Sequence, residues 1–148
     1  MSPIETFYTV AGLLAIAVVF VVNSQLFKPG GKAAGLSWIE GLCWVFGLAA
    51  LGLGWYYNYL YFQEYGDAAG WWHWSVMMFA NPASSSGGQD LFIANLIFLP
   101  LWTIIDGRRS GMKISWYYFP MSLLTSYAFA IALFMIVRER QLRWNQAA

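Results

Sequence analysis

An all-α, multi-pass membrane protein is the fold class this sequence predicts, and three observations carry the prediction. Hydrophobic residues make up 59% of the 148 and charged residues only 10%, against about 25% charged in an average soluble domain. The apolar residues fall into runs approaching the ~20 residues that a bilayer crossing needs. Trp and Tyr, part of an aromatic content of 20%, gather at the ends of those runs, where membrane proteins place their interfacial belts. Four transmembrane helices plus one short interfacial or re-entrant helix are expected, in a single domain covering 1–148.

The first span is expected over 7–27. Ser2, Pro3 and Glu5 have the spacing of a capping box with Pro at the first helical position. No Lys or Arg precedes the apolar run, and Asn23-Ser24-Gln25 stands where a cleavage site would be, so the run reads as a span and not as a signal peptide. Lys28-Pro29-Gly30-Gly31-Lys32 ends it. The second span is expected over 37–61 and opens with a second capping box, Ser37-Trp38-Ile39-Glu40. An acid at the start of a membrane helix invites reading as a proton carrier or ligand; the spacing favours Glu40 as the cap of its own helix. Gly47, Ala50 and Gly54 let another helix come close.

Gln63 to Gly70 is a polar loop. Residues 71–80, WWHWSVMMFA, are too few to cross and are expected to form the interfacial or re-entrant helix. Asn81 and Pro82 stop it, and 83–88 reads as a flexible turn. The third span is expected over 91–105, with Asp90 as N-cap, Pro100 as a kink and Gly107 as C-cap. Fifteen residues give roughly 22 Å, short of a core of about 30 Å. Such a helix recruits residues upstream, thins the membrane or is shielded by partners. Asn95 needs a hydrogen-bond partner inside it. The fourth span is expected over 114–137, where Ser122, Ser126 and Ala130 repeat every fourth residue as a small-residue stripe.

Basic residues orient the chain. With four spans and the N-terminus outside, Lys28, Lys32, Arg108, Arg109 and Lys113 lie inside and Arg138, Arg140 and Arg143 outside. That count of five against three favours N-out and C-out.

The second half carries an ordered set of elements: FANPASS from Phe79, then Asp90-Leu91, then DGRRSGMK from Asp106, then Leu133-Phe134 and Arg138-Glu139-Arg140. In these the chain resembles a bacterial family of small multi-spanning proteins, domain of unknown function 2834, over about 71–140. Asp106 stands where the family often has Glu, and the first two spans look like an extension. The resemblance implies the membrane fold and a place in a bacterial cytoplasmic (inner) or photosynthetic membrane, and it brings no activity with it.

No zinc motif, nucleotide-binding loop or serine elbow occurs, so no catalytic residue is assigned. A net charge of +1 leaves no nucleic-acid footprint. Cys43 is the only cysteine; it reads as a small buried hydrophobe and excludes an intrachain disulfide. Glu64, Asp67, His73 and Asp90 fall on one expected side and form a weak carboxylate–histidine group. His73, flanked by Trp72 and Trp74, is either a belt histidine or the axial ligand of a chlorophyll-type pigment. Asp106, Arg108 and Arg109 are either a positive-inside turn or a contact for a lipid head group or partner. Three functions follow. The first is a non-enzymatic accessory subunit packed on other membrane-protein subunits through Gly54, Ser122, Ser126 and Ala130. The second is a chlorophyll- or carotenoid-associated subunit of a photosynthetic complex. The third is a small enzyme or carrier for an isoprenoid-like lipid, resting on Asn95, Asp90 and Glu64.

Overall fold

The computed structural model describes residues 3–147, and these are helical with short connections. The expected Ser2 cap lies outside the described residues. Helix α1 spans Pro3–Val22 and passes through a 3-10 turn at Ser24–Phe27. Helix α2 spans Trp38–Tyr65, α3 Trp71–Met77, α4 Pro82–Ile93, α5 Leu99–Arg109, α6 Tyr118–Leu124 and α7 Tyr127–Gln146. Between α4 and α5 the chain stays helical through a π segment, Ala94–Phe98.

Three helical stretches are long and apolar enough to cross a membrane: Pro3–Val22, Trp38–Ala68 and Pro82–Arg109, with mean hydropathies of 2.1, 1.4 and 1.5. The third corrects the expected short span. The 83–88 stretch is not a turn but the first part of α4. Asn81 caps it through Ser84 N–H, Ser84 answers by accepting from Asn81 N–H, and Pro82 takes the first position. Asp90 is therefore interior and caps nothing. At its other end the helix runs past Asp106 and Gly107 to Arg109, so Gly107 is no C-cap. It is a contact point, since a Cβ there would collide with Ser115. Twenty-eight residues rise about 42 Å, ample for a bilayer core of about 30 Å.

The expected fourth span is also corrected. Residues 114–137 do not form one helix. Helix α6 ends at Leu124, Thr125 leaves helical geometry (φ −122°, ψ −94°), and Ser126 is extended and caps α7 by accepting from Phe129 N–H at 3.1 Å. Helix α7 then folds back along α6. Its pairing with α2 is antiparallel: Gly54 faces Ser126, Gly47 faces Ala132, and Glu40 meets Arg140. The tip of the hairpin, at Leu124 and Thr125, also touches Gly12, midway along α1. The α6–α7 pair thus rises only about halfway up the bundle and returns. The core lies along this hairpin: Tyr118, Met121, Ala130, Leu133, Phe134 and Val137 are fully enclosed and packed with Ala15, Val19 and Leu26.

This return brings the C-terminus to the end of the bundle that holds the first loop. Arg140 donates to Leu26 O at 3.0 Å, Arg143 donates to Gly35 O at 3.2 Å, and Lys32 lies 5.7 Å from the Trp144 ring. From the other side Asn145 donates to Ser110 O at 2.9 Å. The expected five-and-three split of basic residues is therefore not what the fold shows. All eight lysines and arginines sit at one end, and Glu5, Glu64, Asp67 and Asp90 lie toward the other.

Candidate functional site: a pocket above the broken helix

The space above the hairpin tip is a pocket of about 400 Å³. Helix α2 packs on α7, while α5 and the π segment pack on α6, so the hairpin holds α2 apart from the helix that runs from Pro82 to Arg109. Its walls are Ala50, Gly54, Asn58 and Phe62 on one side and Leu91, Phe92, Asn95 and Leu96 on the other. Tyr8 of α1 and Trp71, Trp74 and Met78 at α3 close the end away from the basic residues, and residues 122–128 make the floor. Asn58, Trp71 and Leu96 are exposed and mark its opening between α2 and α4.

Each polar feature of the floor has a local cause. Pro100 has no N–H and its ring crowds the preceding turn. The chain relieves this with a π turn, in which Leu99 N–H reaches back to Ala94 O, a device common at functional sites. Asn95 lies in that turn, and Ser122 Oγ stands 2.7 Å from its Oδ1 and 2.6 Å from Phe119 O. A hydroxyl has one proton and cannot serve both acceptors. Both contacts are satisfied when the Asn95 amide is turned, so that its NH₂ donates to Ser122 Oγ and Ser122 donates to Phe119. Asn95 then presents a carbonyl and its second N–H to the pocket.

The helix break adds backbone groups. Thr125 N–H and Oγ1 both bond Met121 O, and Ser126 caps Phe129 N–H. The carbonyls of Ser122, Leu123 and Leu124, and the N–H groups of Tyr127 and Ala128, have no partner among the described residues. No Asp, Glu, Lys or Arg lines the pocket.

The residues singled out from the sequence divide clearly. Ser122, Ser126 and Gly54 come together at the floor, where Gly54 and Ser126 face each other with room for one more methyl group (3.5 Å from an added Cβ to Ser126 Cβ). Ala130 is buried below them. Gly54 of α2 and Ser126 of α7 thus meet inside the bundle, whereas Ser122 turns to Asn95. His73 sits above the pocket, its Nδ1 2.8 Å from Tyr61 Oη and its ring stacked on Tyr61 and tilted against Tyr65. Trp72 turns outward (82% exposed) and Trp74 turns into the pocket, so the three residues do not frame one ring. No three of Glu64, Asp67, His73 and Asp90 gather as a metal-binding group among the described residues.

Asp106, Arg108 and Arg109 also separate. Arg108 and Arg109 are exposed, whereas Asp106 pairs with Arg138 across the bundle. The hydrogen bond to Asp106 raises the Arg138 pKa further, against the opposing effect of burial. Both side chains are partly exposed, at 35% and 21%, so Asp106→Asn is expected to cost no more than about 1 kcal/mol, read as a shift in thermal unfolding. The stronger cluster was hidden from sequence reasoning. Glu40 forms its capping box with Ser37, as expected, and is also fully buried against Arg140 and Arg143. Its pairing partners lie a hundred residues away, where no local pattern reaches.

The family model described as a protein of unknown function, DUF2834, matches residues 42–140. The match takes in most of α2 as well as everything from α3 to Arg140, more than the expected 71–140. No curated protein and no solved structure matches. The pocket lining apart from Tyr8 and the break between α6 and α7 lie within the matched region, and the chain belongs to the DUF2834 family.

Proposed function

We propose that this chain is a multi-pass protein of the bacterial cytoplasmic membrane whose pocket receives a lipid-soluble molecule from the outer leaflet. The observation that carries the reading is the broken helix. In a three-span bundle the α6–α7 tip lies near mid-membrane, and unpaired backbone groups are tolerated at that depth only where they are buried in protein or line a cavity. Here they line one. Broken helices flanking a cavity are also how membrane carriers build their binding sites. The hairpin is then re-entrant, a role expected from the sequence at 71–80 and supported instead at 118–137. The gathering of all eight basic residues at one end supports an N-terminus outside and a C-terminus inside, in place of the C-out orientation.

The accessory-subunit reading drew on two small-residue surfaces, and Gly54 of one faces Ser126 of the other inside the bundle. The pigment reading retains His73 Nε2 as its one nitrogen, since Nδ1 is engaged by Tyr61. Neither has an observation equal to the pocket.

The test is occupancy. Protein purified in mild detergent is expected to retain a lipid-soluble species at stoichiometric level by mass spectrometry of its organic extract. Gly54→Ala, which fits the available space, is expected to keep it. Gly54→Leu, and independently Leu96→Trp at the opening, are expected to deplete it severalfold. An unchanged extract from both blocking variants, folded as judged by thermal unfolding, contradicts the pocket reading.

A further inference from the structure

The pocket reading leaves the ligand's head group open, and on that reading we infer that the ligand is a neutral lipid alcohol, bound with its hydroxyl at the floor. Depth and charge set the first limit. An ionised head carried to mid-membrane needs a counter-charge, because desolvating an unpaired charge is far more costly than desolvating a hydroxyl. The lining offers no Lys or Arg for a phosphate or carboxylate, and no Asp or Glu for an amine. Phospholipids, fatty acids and prenyl phosphates are poorly matched.

The polar groups present set the second limit. They are of both kinds. Asn95 offers one carbonyl and one N–H once its contact with Ser122 is made. Ser122 and Leu123 at the end of α6 carry free carbonyls, and Tyr127 and Ala128 at the start of α7 carry free N–H groups, all on residues that line the pocket. A head that only accepts, such as an ether or a quinone carbonyl, leaves the acceptors unsatisfied. A hydroxyl donates once and accepts, so it meets both. Higher in the pocket, Tyr61 does not compete for it. Tyr61 Oη accepts from Gly70 N–H at 3.0 Å and is shared between Gly70 O and His73 Nδ1, so its hydrogen-bonding capacity is used. Above the floor the walls are mainly apolar and aromatic, with Tyr8, Phe62, Trp74, Leu91 and Phe92, and Asn58 stands at the exposed opening; they suit an apolar chain leaving between α2 and α4.

The experiment uses the full chain in lipid nanodiscs and three probes that share one chain: farnesol, farnesyl methyl ether and farnesyl phosphate. Saturable binding is followed by native mass spectrometry. Farnesol is expected to bind about tenfold more tightly than the ether, the worth of roughly one net hydrogen bond in a buried site, and the phosphate no better than the ether. Asn95→Leu is expected to bring alcohol and ether within a factor of about two to three of each other, while ether binding persists. Equal binding of alcohol and ether to the native chain, abolished by Gly54→Leu, overturns the head-group assignment and leaves the pocket reading standing. So does tightest binding of the phosphate. No saturable binding of any probe overturns both.

Discussion

Glu40→Gln is expected to be among the most damaging single substitutions in the chain, although it changes one atom type and keeps the helix cap. Glutamine at the third helical position completes a capping box as glutamate does, so the local start of α2 is preserved. What it removes is the charge that Arg140 and Arg143 share. Glu40 is fully buried, and the Arg140 side chain is only 13% exposed. Removing one member of a buried pair costs about 3–5 kcal/mol, because the other is left without compensation. Two arginines then face the loss, one of them also held by Leu26 O and stacked 4.6 Å from the Phe27 ring. The measurement is the unfolding midpoint in a detergent titration, with Trp144 quenching as a local probe of α7. If Glu40 acted as a cap alone, glutamine would be nearly silent. Loss of stability in Glu40→Gln with the start of α2 intact separates the two roles.

The second large effect is expected at Gly47. Helices α2 and α7 close on each other through small residues, the main source of attraction between helices in lipid. A Cβ on Gly47 would lie 2.8 Å from Ala132 Cβ, whereas one on Gly54 would lie 3.5 Å from Ser126 Cβ. The first distance forces the helices apart and the second is ordinary contact. Gly47→Ala is expected to cost about 1–3 kcal/mol, in the range of core overpacking, and Gly54→Ala close to nothing. Gly12→Ala should resemble Gly47→Ala, because its Cβ would meet Leu124 O at 2.8 Å, a backbone atom that cannot turn aside. Parallel thermal-unfolding curves of the three alanine variants check the order.

Much of this fold was legible in the sequence, and the failures share a physical form. Apolar runs and aromatic belts mark the long helices because lipid solvates their whole surface. The Ser37–Glu40 cap was readable because its chemistry spans three residues. The start of α4 was misread because serines and glycines signal a turn in water, yet Asn81 and Pro82 together nucleate a helix. The break at Thr125 was invisible for the opposite reason. Neither Gly nor Pro marks it, and Ser126 has no Glu or Gln three residues on to complete a capping box. An every-fourth-residue stripe of Ser122, Ser126 and Ala130 looks the same whether the helix continues or stops. The pocket followed from that break, so the sequence could name Ser122, Asn95, Ser126 and Gly54 singly without placing them around one cavity. Tyr61, which closes the upper part and holds His73, was hidden in the aromatic belt.

The re-entrant hairpin is the centre of the account, and the side on which the chain ends tests it most directly. In a Cys43→Ser background, single cysteines at Lys28, Asp67, Lys113 and Ala147 can be labelled with a membrane-impermeant maleimide in intact cells and in inverted vesicles. Lys28→Cys, Lys113→Cys and Ala147→Cys are expected to label together in inverted vesicles, and Asp67→Cys alone in intact cells. Labelling of Ala147→Cys from the side opposite Lys113→Cys would mean that residues 114–137 cross the membrane after all, and it would remove the broken helix on which the pocket rests.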